Sequence, residues 1–192
     1  MTLLRIFLLS LLSFILIGCG DTSTSKVNFT ESSLATSVNT TKEEILKVIN
    51  DARAVSRDCH DGLGIVSAAP ALTWNSELYA SAYEHSSDLA KSNTFSHYGS
   101  GTESDVTGSN NRNASYFNER IEANGYTEYK IIGENIAGGQ GSIQEAVDAW
   151  IASPAHCTNL MNSSFKEIGV GVAVASDSKY GIYWTQSFGG KK

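Results

Sequence analysis

The chain has 192 residues, 41% of them apolar, and a formal net charge of −6. An acidic balance with no basic run makes the chain a poor candidate for binding phosphate backbones or anionic lipid by charge. The length and apolar content allow one domain with a core of its own.

The opening MTLLRIFLLSLLSFILIGCG carries one positive charge, Arg5, then an apolar run from Ile6 to Ile17 and the small Gly18 before Cys19. That order describes a secretory signal, too short for a comfortable membrane span. Residues 1–18 are therefore expected to leave, and with Arg5 gone the net charge of −6 becomes −7. The stretch Leu16, Ile17, Gly18, Cys19 resembles a bacterial lipobox, which implies lipidation of Cys19 and anchoring in the cell envelope. The alternative is a secreted chain with an incidental cysteine. Residues 20–41 hold 11 Ser or Thr among 22 positions. Such a segment buries too little surface to offset its ordering entropy, so it reads as a disordered tether, with a reach of about 25 Å.

The domain is expected over 42–192. Thr41 and Glu44 form a capping-box pattern before Ile45, Ile49 and Ala52, predicting a helix to about Arg57. Leu78, Ala82, His85 and Leu89 recur at helical spacing between about Trp74 and Lys91. After the polar stretch GSGTESDVTGSNN at 99–111, a third helix is predicted over 113–124, with Phe117 and Ile121 inward and Gly125 as its stop. The fourth has Ser142 and Glu145 as a capping box and Ile143, Val147, Trp150 and Ile151 as its stripe; Pro154 is expected to end it. The pattern then changes period. Ile168, Val170, Val172 and Val174 alternate with Gly169, Gly171, Ala173 and Ala175, a strand with one bulky and one nearly bare face. A turn near Asp177 and Ser178 leads to Tyr180, Ile182 and Trp184, a hairpin partner, and 130–132 offers a short third strand. Helices first and strands last predict α+β, four helices around a small antiparallel sheet.

With Cys19 lipidated, Cys59 and Cys157 remain, and exported chains live where thiols oxidise. A disulfide between them is the economical reading, about 4 to 5 kcal/mol by the chain-entropy model. It removes Cys157 from chemistry with the adjacent His156; catalytic Cys/His partners in any case meet in space, not as sequence neighbours. Of the four histidines, His60 sits in a turn-rich loop facing solvent. His85 lies on the inward stripe of the second helix, as a hydrogen-bonded core histidine. His97 and His156 follow helices, where side chains converge on a cleft.

LTWN at 72–75 with Leu78, FSH at 95–97, Arg120 with Gly125 and Tyr126, GENIA at 133–137, Trp150 with SPAH at 153–156, Asn159 with Leu160, and IGVG at 168–171 form an ordered series. It resembles the CAP superfamily of cysteine-rich secretory, antigen 5 and pathogenesis-related 1 proteins, or SCP domains, over about residues 42–189. The resemblance implies a three-layer α-β-α sandwich and a cleft lined by His97, Glu134 and His156. It also supports the Cys59–Cys157 disulfide. Two departures concern the cleft: Ser153 stands where a second acid is usual, and the polar loop replaces the Asp-Gly that commonly follows the first histidine.

Two imidazoles and a carboxylate are ligand types of an open zinc site, with His97 and His156 as the metal ligands. Adventitious divalent binding is another reading. In a third, Glu134 orients the histidines as an outer carboxylate in a structural polar cluster. Ser153, His156 and Glu134 have the residue types of a hydrolase triad, but no strand-turn nucleophile elbow surrounds Ser153, which is expected to close the helix end. Many CAP proteins are regarded as extracellular binders. The reading is therefore an anchored binding module for a lipid, small hydrophobic or protein ligand, with a hydrolase as the alternative.

Overall fold

The computed structural model describes residues 38–192 apart from Arg112. The expected leader, Cys19 and the expected tether up to residue 37 lie outside the described residues. Within them the order is α1 (Lys42–Arg53), β1 (Arg57–Asp58), β2 (Ile65–Val66), β3 (Thr73–Trp74), α2 (Ser76–Ser92), α3 (Val106–Asn111), α4 (Phe117–Ala123), β4 (Tyr129–Gly138), α5 (Ile143–Ile151), α6 (Pro154–Leu160), β5 (Glu167–Val174) and β6 (Ile182–Lys191).

Thr41 caps α1 by accepting the Glu44 N–H, and Ile45 and Ile49 are fully buried. The helix stops at Arg53 rather than Arg57, because Arg57 pairs with Val66 in a two-stranded hairpin. Arg53 is itself buried, donating from Nε and Nη2 to Pro70 O and from Nη1 to Leu160 O and Asn162 O. Burial lowers its pKa to about 10. Upstream, Thr40 is already buried and Val38 packs against the core.

Asn75 caps α2 by accepting from Glu77 N and Leu78 N, two residues later than expected because Trp74 pairs with Ile168. Leu78, Ala82, His85 and Leu89 are all buried, as the periodicity requires. The main sheet runs β3-β5-β6-β4. Its β5-β6 hairpin and β4-β6 pairing are antiparallel, while β3 joins β5 in parallel, so the sheet is mixed rather than purely antiparallel. The expected three-residue strand over 130–132 is a ten-residue edge strand, β4, extending through GENIA to Gly138. Its buried Glu134 and Asn135 conceal it from a reading of hydrophobic alternation.

The bare face of β5 does what its composition allows. A Cβ on Gly169 would stand 1.9 Å from Tyr79 N, and one on Gly171 2.4 Å from Tyr83 N. The α2 backbone thus lies directly on the strand. On the opposite face Ile168, Val170 and Val172 join Trp184 and Phe188 of β6, Ile45 and Ile49 of α1, and Val147 and Trp150 of α5 in the main core. Helices α2 and α4 on one side and α1, α5 and α6 on the other complete the three-layer sandwich.

Six helices, not four, form among the described residues. The short α3 occupies part of the polar stretch, and α6 follows from a correction at Pro154. That proline does not end α5, which stops at Ile151; it opens α6 at the first helical turn. A proline there lacks only an N–H that would have had no helical partner, and its fixed φ suits the helix. Conversely α4 is shorter than expected, beginning at Phe117 because residues 113–116 are not helical. Gly125, at φ +101°, sits just beyond it.

Candidate functional site: a His/Glu/Arg cleft at the sheet edge

Glu134 projects from the edge strand β4 toward the α2 side, with 2% of its side chain exposed. Its Oε1 accepts from His97 Nδ1 at 2.9 Å and its Oε2 from Arg120 Nη2 at 2.9 Å. Burial alone would raise the Glu134 pKa; the neighbouring His85 and Arg120, with hydrogen bonds from His97 and Arg120, reverse this and hold it below the usual carboxylate range. An ionised carboxylate only accepts, so His97 donates through Nδ1. Its other ring nitrogen, Nε2, is left to the cleft, and 48% of the His97 side chain is exposed.

His97 is carried by the turn after α2, where Asn93 takes the left-handed conformation at φ 54°. The polar stretch that follows is folded around carboxylates. Asp105, buried, accepts from the N–H groups of Gly101, Gly108 and Ser115 and from the Ser115 hydroxyl. Its burial is outweighed by those bonds, which leave its pKa below the ordinary aspartate value. Asp88 of α2 accepts from Ser100 and Ser104, and Glu84 from the Thr107 N–H.

His156 arrives from the other side of β4, on the first turn of α6. Its ring centroid lies 6.4 Å from that of His97. Asn135 Nδ2 donates to His156 O, while Asn159 Nδ2 donates to Glu134 O and Asn135 Oδ1, fastening α6 to the sheet edge. Burial, then the proximity of His97, lowers the His156 pKa. One residue on, Cys157 is bonded to Cys59 of the hairpin region, with Cα atoms 5.5 Å apart. The two neighbours have separate roles, one at the cleft and one in the disulfide.

The structure therefore brings His97, Glu134 and His156 together and leaves His60 exposed beside Asp58. Ser153 sits at the N-cap of α6, but its hydroxyl caps nothing. It makes no hydrogen bond to His156 among the described residues, and Glu134 bonds His97 instead. Two participants carried no assigned chemistry in the sequence. Arg120 is the cationic partner of Glu134, and it also donates to His97 O and to Ser115. His85 is the expected core histidine, with Nε2 2.9 Å from Ser96 O, yet it also stands 3.8 Å from Glu134 Oε1. Burial lowers its pKa to about 4. His85 on the α2 stripe was legible as a buried position and Arg120 only as a member of the ordered motif; nothing in their spacing points to Glu134.

No group of three or more His, Cys, Asp or Glu is set to hold a metal ion among the described residues. Both Glu134 oxygens are engaged, so a divalent ion would find the two imidazoles, His97 through Nε2 and His156. The carboxylate behind His97 is the outer partner that metal-binding histidines commonly have.

A model of the cysteine-rich secretory protein family, CAP, matches residues 46–188. The uncharacterised protein YkwD of Bacillus subtilis is 46% identical over 63 residues, which are 33% of this chain and 23% of that protein. The uncharacterised membrane protein YlbC of the same bacterium is 32% identical over 121 residues, 61% of this chain and 28% of that one. The match thus spans about a quarter of either relative. An extracellular SCP-domain protein of Bacillus anthracis superposes with a TM-score of 0.57 at 25% identity, over 78% of this chain and 40% of that chain. An outer surface protein of Borrelia burgdorferi shares the fold with a TM-score of 0.56 at 20% identity, over 80% and 97% of the two chains.

Proposed function

The chain belongs to the cysteine-rich secretory protein, or CAP, family, and from that premise we propose an extracytoplasmic binding module tethered to the cell-envelope membrane by lipid on Cys19. Its ligand, a lipid, a small hydrophobic molecule or a protein, is taken at the cleft between His97 and His156. The observation that carries this reading is the state of Glu134. A carboxylate with both oxygens spent, on Arg120 and on a histidine, and held ionised, orients a binding group and has no proton to give. The buried disulfide fits an oxidising compartment.

A second reading, zinc at the two imidazoles, is favoured by the Nδ1 bond that frees His97 Nε2. Zinc there would supply an electrophilic centre for a ligand oxygen. A Ser/His/Glu hydrolase has less support, because Ser153 and Glu134 do not flank one histidine.

Calorimetry on the full chain with zinc, beside His97→Ala and His156→Ala, tests the site. Sub-micromolar binding lost in both variants supports a shared histidine site; absent or millimolar binding removes zinc and leaves lipid and protein partners to be screened. Turnover of an ester or peptide substrate that disappears in Ser153→Ala would overturn the binding-module reading.

A further inference from the structure

Beneath the cleft, four fully buried polar atoms have no hydrogen-bond partner among the described residues: Ser81 Oγ, His85 Nδ1, Arg120 Nε and Ser187 Oγ. Buried polar atoms are hydrogen-bonded as a rule, so four together require an account. Their residues belong to the elements packed around Glu134, namely α2, α4 and β6. Ser81 and His85 lie one turn apart on the same face of α2, and His85 Nε2 is 3.8 Å from Glu134 Oε1. Ser187 stands directly across the ladder from Glu134. Gly139 N donates to Ile182 O, so the antiparallel alternation makes Glu134 and Ser187 a pair without mutual backbone bonds, with Cα atoms about 4.5 Å apart and side chains on one face. Arg120 reaches the same carboxylate through Nη2, and its Nη1 and Nη2 are otherwise occupied by Ser115 and His97 O, leaving Nε.

We propose that these four atoms enclose a buried hydration site, holding at least one long-lived water molecule in the floor of the cleft. The donor types fit. Arg120 Nε–H only donates. His85, neutral and donating through Nε2 to Ser96 O, only accepts at Nδ1, and a serine hydroxyl does either. One water accepts from Arg120, donates to His85 and completes its shell with the two hydroxyls, the number of partners a buried water commonly has. Charge argues for a neutral occupant: Arg120 opposes a cation there and Glu134 an anion. The water holds His85 in the tautomer that grips the Ser96 carbonyl, next to His97, and so positions the cleft histidine whatever the cleft binds.

A high-resolution crystal structure of the full chain, with oxygen-17 relaxation dispersion to count long-residence waters, tests the proposal. The expected result is an ordered water within hydrogen-bond distance of at least three of the four atoms, and a count lower by one in Ser187→Val, whose methyl groups fill the space. Direct pairing of the four atoms with no water between them, an ion in the density, or an unchanged count in a folded Ser187→Val overturns it. If Ser187→Val does not fold, the wild-type crystal decides alone.

Discussion

The two walls of the cleft are held by unlike means. The His97 wall is a polar segment wrapped on buried carboxylates: Asp88, Asp105 and Glu84 gather its backbone and hydroxyl groups, and Glu134 with Arg120 fixes the histidine. The His156 wall is a short helix fastened covalently to the hairpin through Cys59 and Cys157, with Thr158 donating to Asp61 and Asn135 to His156 O. Beside the disulfide the hairpin leaves a groove of ≈ 560 Å³ bordered by Leu63, Ile65 and Met161, with Leu63 and Ile65 exposed. The lesson is that the walls should fail to different agents, acid for the first and reductant for the second.

Removing the cation of the His97 wall has the largest expected effect. Arg120→Ala leaves Glu134 buried without its charge partner, which costs about 3 to 5 kcal/mol, read in urea unfolding. Opening the disulfide, by reduction or by replacing Cys59 and Cys157 with Ala, should cost about 2 to 4 kcal/mol. It should leave the NMR signals of the segment around His97 near their native positions; loss of both walls together would erase the distinction.

Acid acts with a definite sign. The folded pKa of His85, about 4, lies below its ordinary value of 6.5, so between these values the unfolded chain binds the extra proton and stability falls as pH falls. Across that window the loss is on the order of 3 kcal/mol. Glu134 and Asp105, also depressed in the folded state, contribute stability above ordinary carboxylate pKa values and lose it as pH falls through their folded ones. Melting temperatures from pH 7 to pH 4 check this, and His85→Gln should flatten the upper part of the curve. The smallest effect belongs to neither wall. The exposed Lys47–Asp51 pair on α1 is a surface ion pair, and Asp51→Asn should change stability by less than about 0.5 kcal/mol.

Much of this frame was legible in the residues. Capping at Thr41 and Ser142 and the apolar stripes mark three helices to within a few residues, and glycines 169 and 171 announce the close approach of another layer, which is α2. Pro154 shows the limit of local rules, since the same residue stops one helix or starts another according to the turn before it. Strand β4 shows a second limit: its Glu and Asn are buried because partners distant in sequence satisfy them, and a periodicity contains no such partner. At the site, His97, Glu134 and His156 came from an ordered motif. Arg120 and His85 became participants only when α4 and α2 were folded against β4, and the same holds for the carboxylates that gather the polar segment.

The most direct test of the account is the protonation pattern of His97. Long-range proton–nitrogen correlation spectra of the nitrogen-15-labelled full chain at neutral pH should show His97 with its proton on Nδ1, directed at an ionised Glu134, and should show that preference lost in Glu134→Gln. A neutral His97 protonated on Nε2 in the wild type, unchanged by Glu134→Gln, would contradict a carboxylate that orients the cleft.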